Sequence, residues 1–155
     1  MPGRIVVGVD GSDGAIAALR WALEEASRRA ASVDAIHGWE YPYVADVTGM
    51  AAYTVGRGEL EQAAGETLDR ALELAGPAPQ GVRVERILGH GGAARVLLDA
   101  AKGADLLVVG ARGHGGFAGL LLGSVSHQCA HHAPCPVVVV PPTSVARTGT
   151  DQPGM

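Results

Sequence analysis

Between Gly110 and Gly123 the chain carries six glycines, both ends included, and Ser124, Val125 and Ser126 follow at once. Glycine lets a backbone approach a ligand closely and adopt positive φ. Successive N–H groups in such a turn form a concavity that attracts anions. A helix starting at Gly123-Ser124 adds free N–H donors and a partial positive charge at the same place. Ser124 and Ser126 could contribute hydroxyl donors there. The chemistry this suits is the holding of phosphate. A plainer reading is that Ser124 caps the helix and the glycines form a flexible surface loop. The stretch is not a Walker A loop, which needs Lys after its last glycine; here Ser124 follows Gly123, and Lys102 lies too far back. Nor is it the dinucleotide fingerprint, which belongs after the first strand.

Other residues could do chemistry. Asp10 follows the first apolar run, where it could meet a ribose or a base, or simply hydrogen-bond its own backbone in a turn. Asp13 caps the first helix or is exposed. Arg112 and His114 sit inside the glycine loop, where either could touch a terminal phosphate or only water. His127 and His131 stand four apart on a helix, with Cys129, His132 and Cys135 nearby. Such a cluster raises a metal site, but Cys129 points elsewhere, no Cys-x2-Cys is present, and histidines near a helix C-terminus are favoured by the dipole alone. No metal ligands are therefore assigned. Cys135, between prolines at a strand entrance, reads as a buried structural residue. No Ser/His/Asp set and no paired carboxylates with a dictated spacing are legible, so no catalytic residue is assigned.

The elements that must position these groups alternate along the chain. Ile5–Val9, Val33–Trp39, a run through Val82, Val84 and Ile87, Leu106–Val109 and Val137–Val140 read as strands, the third near an edge because charged residues interrupt it. Ala15–Arg29, Glu59–Ala75, Ala93–Ala101 and Ser124–His131 read as helices. Residues 40–57 have no clear period and are expected to form a long loop; residues 143–155 are polar and expected to be disordered. This alternation implies βαβ units and an α/β fold with one parallel sheet. Ligands in such sheets sit beyond the carboxyl ends of the strands, where strand order reverses.

Composition agrees. The 155 residues suit one domain. Aromatics are only 4%, so Val, Leu and Ala must build the core. The net charge of −4 and scattered cations argue against a nucleic-acid-binding face. No apolar stretch nears the ~20 residues of a membrane span. No signal-like leader precedes the first strand, and two cysteines make no disulfide framework. A cytoplasmic location without membrane partners is expected.

At this point the sequence resembles a known family. The pattern Gly-x2-Gly-x9-Gly-Ser/Thr, met by Gly110, Gly113, Gly123 and Ser124, resembles the ATP-binding motif of universal stress proteins. Ile5-Val6-Val7-Gly8-Val9-Asp10-Gly11-Ser12 is similar to that family's first strand and turn. His132-Ala133-Pro134-Cys135-Pro136 with Val137–Val140 is similar to its last turn and strand. The resemblance spans roughly residues 3–141. It implies a doubly wound five-stranded sheet of order 3-2-1-4-5, Rossmann-like, with helices on both faces. It implies that Asp10 contacts the nucleoside, that Gly8, Val9 and Gly38 border adenine, and that Val109 lines the same pocket. Gly110, Gly113, Gly123, Ser124, Val125 and Ser126 would surround ribose and phosphates, with Arg112 beside them and Mg²⁺ or Mn²⁺ accompanying the ATP. Two departures stand out: Gly89-His90-Gly91-Gly92 lacks a proline common in relatives, and Gly38 stands where Val is common.

The expectation is thus a domain over residues 1–142 that binds ATP and acts as a stress-response regulator. A slow ATPase of the same fold and an interaction domain without nucleotide are the alternatives. A homodimer through Val137–Val140 is expected, because an outer strand leaves N–H and C=O groups to be covered.

Overall fold

A computed structural model describes residues 2–40, 56–113 and 122–142. The expected loop at 40–57 (save its flanks), His114 and the expected tail from residue 143 lie outside the described residues. Five strands and four helices form among those described: β1 Arg4–Gly8, α1 Asp13–Arg29, β2 Ser32–Trp39, α2 Arg57–Ala75, β3 Val84–His90, α3 Ala93–Ala100, β4 Leu106–Gly110, α4 Ser124–His132 and β5 Val137–Val140. The strands make one parallel sheet of order β3-β2-β1-β4-β5. The strand order and the edge position of β3 are those the sequence implied.

Period-two alternation divides the strands between two cores. Ile5, Val7, Val33, Ala35, Leu106 and Val108 turn toward α1 and α2, where Leu19, Leu23 and Leu68 meet them. Val6, Ile36, Leu107 and Val109 turn the other way, onto Leu97 and Cys129 of α3 and α4. Runs such as Ile5-Val6-Val7 are apolar throughout because both of their faces are buried. The chain moves from β1 to β3 with helices on one face. It then crosses through α3 to β4 on the other face. The reversal leaves β1 and β4 adjacent but their following segments diverging, and a crevice opens between them.

Local chemistry sets the element ends. Ser12 caps α1, its hydroxyl accepting from the Ala15 amide at 3.2 Å. Asp13 is therefore not the cap; it is an exposed first-turn residue on the side of the dipole that favours an acid. At the sheet end away from the crevice, Arg4 pairs with the buried Asp34 at 2.9 Å. It also donates to the carbonyls of Ala100 and Lys102. One guanidinium thereby ties β1 to β2 and to the end of α3, and satisfies a charge that burial would otherwise penalise. Cys135 is half-buried, not buried; Cys129 is the fully buried cysteine, with burial pushing its thiol up to about 11.

Candidate functional site

Each strand that ends at the crevice contributes the residues just beyond or at its carboxyl end. β1 brings Gly8, Val9 and Asp10; β2 brings Ile36 and Gly38; β4 brings Val109 and Gly110. Val9 is held in place twice. Its amide donates to the Ile36 carbonyl at 2.8 Å. Its carbonyl accepts from Nδ1–H of His37 at 2.7 Å, which fixes that imidazole's tautomer. The end of β1 is thus locked to β2 just where the crevice opens.

The two described parts of the glycine loop meet at the mouth of the crevice. The Gly123 amide donates to the Ala111 carbonyl at 2.7 Å. The Ser126 hydroxyl, with its residue only 2% exposed, lies 2.7 Å from the same carbonyl and 3.1 Å from that of Gly123. The Ala111 amide donates to Val140. Ser126 therefore closes the loop's base as well as lining the crevice. Gly123, not Ser124, is the N-cap of α4, and it supplies no side-chain cap bond. Ser124 is the first residue of the helix, and its hydroxyl accepts from Gln128 at 3.3 Å. The first-turn amides of α4 have no carbonyl of their own helix to reach, and Ser124, Val125 and Ser126 all border the crevice.

Close approach explains two of the glycines. A Cβ on Gly110 would lie 2.8 Å from the Gly14 carbonyl oxygen, a backbone atom that cannot step aside. A Cβ on Gly113 would fall on the Asp10 carboxylate. The loop and the end of the opening strand are therefore packed together. Asp10 also accepts from the Ser12 amide at 2.9 Å and from its hydroxyl. The turn reading and the crevice reading of Asp10 both describe it.

The twelve residues expected to border a nucleotide all line this one crevice: Gly8, Val9, Asp10, Gly38, Val109, Gly110, Arg112, Gly113, Gly123, Ser124, Val125 and Ser126. Sequence reasoning missed Ser12, Ala15, Ile36, Ala93 and Leu97. Ile36 was legible in principle, since it shares a face with Gly38 two residues on. Leu97 leans over β1, and a Cβ on Gly8 would meet its Cδ1 at 2.6 Å. The two departures belong together: the turn Gly91-Gly92-Ala93 passes so close to β2 that a Cβ at position 38 would lie 3.0 Å from Ala93 Cα.

The crevice is chemically divided. Ile36, Leu97, Val109 and Ala93 make an apolar wall suited to a flat ring. Gly110, Gly113, Gly123 and the α4 N-terminus make the glycine-lined end, where the first-turn amides of α4 are the backbone donors. Among the described residues no group of three or more His, Cys, Asp or Glu converges on a metal position, and no helix is long and apolar enough to cross a membrane.

Comparison with known proteins agrees with this architecture. A model of the universal stress protein family matches residues 1–141. A universal stress protein of Mycolicibacterium smegmatis is 40% identical over 143 residues, covering 89% of this chain and 45% of that protein. The chain thus spans less than half the length of such relatives. Among solved structures, a universal stress protein from Archaeoglobus fulgidus in complex with dAMP is 26% identical with a TM-score of 0.64, covering 89% of this chain and 97% of that one. A universal stress protein in complex with cAMP is 27% identical with a TM-score of 0.63, covering 92% and 98%. With its sheet order, its glycine-lined crevice and this whole-chain match, the protein belongs to the universal stress protein family.

Proposed function

We propose that the chain binds an adenine nucleotide, ATP in particular, in the crevice between β1 and β4, and that it acts as an ATP-responsive stress regulator. The observation that carries this is the division of one crevice into an apolar wall and a glycine-lined end at a helix N-terminus. The base rests against Ile36, Leu97 and Val109. β2 runs to Trp39 while β1 ends at Gly8, so beyond Val9 the β1-facing edge of β2 has no strand beside it. At Gly38 that edge offers a bare peptide N–H and C=O, which adenine's N1 and N6 can pair with. Asp10 takes the ribose. Gly110, Gly113 and the first-turn amides of α4 hold phosphate oxygens, Gly123 leaves room for them, and Arg112 is the cation at the rim. Related proteins solved with dAMP and cAMP support the adenine preference.

Asp10 is the one carboxylate among the described crevice-lining residues. A Mg²⁺ or Mn²⁺ ion would therefore take most of its oxygen ligands from the phosphates and water. Binding shifts the states a partner sees. Pairing of β5 edges would make the homodimer on which such a readout acts.

The test is calorimetric titration of the purified chain with ATP, AMP, cAMP and GTP, with mass spectrometry of small molecules released from it. Adenine nucleotides bind with micromolar affinity and GTP binds at least about tenfold more weakly, a difference of about 1.4 kcal/mol. Equal affinity for GTP would remove the adenine assignment. No binding at millimolar ATP would remove the nucleotide reading and leave the interaction domain. Phosphate release above background would favour the slow ATPase.

A further inference from the structure

We propose that His127 and His131 form a two-histidine clamp for a late first-row divalent cation of the zinc type on the exposed face of α4. The two stand one helical turn apart and are both exposed. Their ring centroids lie 4.5 Å apart with 51° between the planes. Two imidazoles that bind one tetrahedral zinc ion at about 2.0–2.1 Å bring their ring centres to roughly 5 Å. The pair stands within about 1 Å of that separation, so each ring need only turn one nitrogen toward a shared ion. Among the described residues no hydrogen bond engages either imidazole.

Imidazole nitrogen suits zinc, copper and nickel better than magnesium or calcium. This cation site is separate from any ion that accompanies phosphates in the crevice. Its neighbours do not complete a larger set. The His132 ring is 6.3 Å from that of His131 and belongs to a different helix face. Cys129 is wholly buried among the β-strand side chains. The remaining positions on the ion are filled by water, which makes this an exchangeable site of modest affinity and not a structural one. The chelate spans one turn of α4, so the cation stabilises that helix in its folded form.

The experiment uses the full chain, stripped with a chelator and free of nucleotide, titrated with zinc alone while heat release and thermal unfolding are followed. One zinc binds per chain with micromolar affinity and raises the unfolding temperature. His127→Gln and His131→Gln each weaken zinc binding by at least about tenfold, because even second-sphere changes cost metal sites 10–100-fold. His132→Gln leaves it unchanged. All three positions are exposed, and circular dichroism of the variants reports whether α4 is kept. Absence of zinc binding in the wild-type chain, binding unaltered in both His127→Gln and His131→Gln, or an equal loss in His132→Gln overturns the proposal.

Discussion

At the residue scale, the crevice is built from what is missing as much as from what is present. Gly110 and Gly113 both forbid a side chain, but for different reasons, and the difference is measurable. The atom facing Gly110 is the backbone oxygen of Gly14, and overpacking against backbone costs about 1–3 kcal/mol. Gly110→Ala should therefore lower stability by that amount in chemical denaturation. The atom facing Gly113 is the end of the Asp10 side chain, which moves only by loosening its bonds to Ser12. Gly113→Ala should cost about 1 kcal/mol, the worth of a hydrogen bond, and weaken ATP binding by displacing Asp10 and filling the cradle. If both variants lose the same stability and neither loses affinity, Gly113 has no part in a cradle. The cysteines give a second check. Cys129 has no exposed surface and its thiol is raised from 9.0 to about 11 by burial. It should resist alkylation in the native state while the half-buried Cys135 reacts first, and both should react after denaturation. The native state keeps a proton on Cys129 that the unfolded chain releases, so stability falls as pH rises from about 9 toward 11. Asp10 and the glycine loop from Gly110 were legible because strand ends and a glycine pattern are local signals, while Gly8, Val9, Gly38 and Val109 came from the family resemblance those signals carry. Ala93 and Leu97 were not, because nothing local in α3 tells that it crosses back over β1. Their place depends on how α3 packs over the end of β1, which no pattern within residues 93–100 gives.

At the element scale, the alternation of apolar strands and amphipathic helices was plain in the sequence, and boundaries moved by one to three residues. The shifts have causes. α1 starts at Asp13, not Ala15, because the Ser12 hydroxyl reaches forward to accept from the Ala15 amide and draws the first turn in. β3 extends to His90 because β2 offers it partners as far as Trp39, a support no inspection of residues 82–87 could reveal. The helices differ in how they are held. α1 buries eight residues, α2 only Ala64, Gly65, Leu68 and Ala71. Leu68 is wholly buried and is the one large side chain of those four. Gly65 lets Arg86 of β3 lie against α2, where it donates to the Gly65 carbonyl and pairs with Asp69 at 2.7 Å. That ion pair is exposed and contributes at most about 1 kcal/mol, so apolar anchoring must decide. Leu68→Ala should cost 2–5 kcal/mol as core truncations do, seen as a lower denaturant midpoint. Arg86→Ala should cost no more than about 1 kcal/mol. The reverse ranking would mean that α2 is held by its charges.

At the scale of the whole molecule, the two edges of the sheet are unlike. β3 carries Glu85 and Arg86, exposed charges that discourage a further strand. β5 is Val137–Val140 without a charge, and all four residues are only half-buried. Its backbone pattern tells which groups face outward. The carbonyls of Pro136 and Val140 accept from the amides of Leu107 and Ala111 in and beside β4. Alternate residues of a strand direct their N–H and C=O to opposite sides. Val137 and Val139 therefore turn theirs to the free edge, and a second copy related by a two-fold axis can take them up. Proline at position 139 removes one outward N–H without breaking a bond to β4, the one place in a strand where proline is tolerated. Val139→Pro should keep the monomer folded by circular dichroism, keep ATP binding, and sediment as a monomer at micromolar concentrations where the wild-type chain sediments as a dimer. Proline at 138 is the contrast, since it strikes a bond to β4 and should lower stability itself. A wild-type chain that is monomeric under those conditions, or a Val139→Pro variant that stays dimeric, would place any self-association on another surface and leave the valine edge to some different partner.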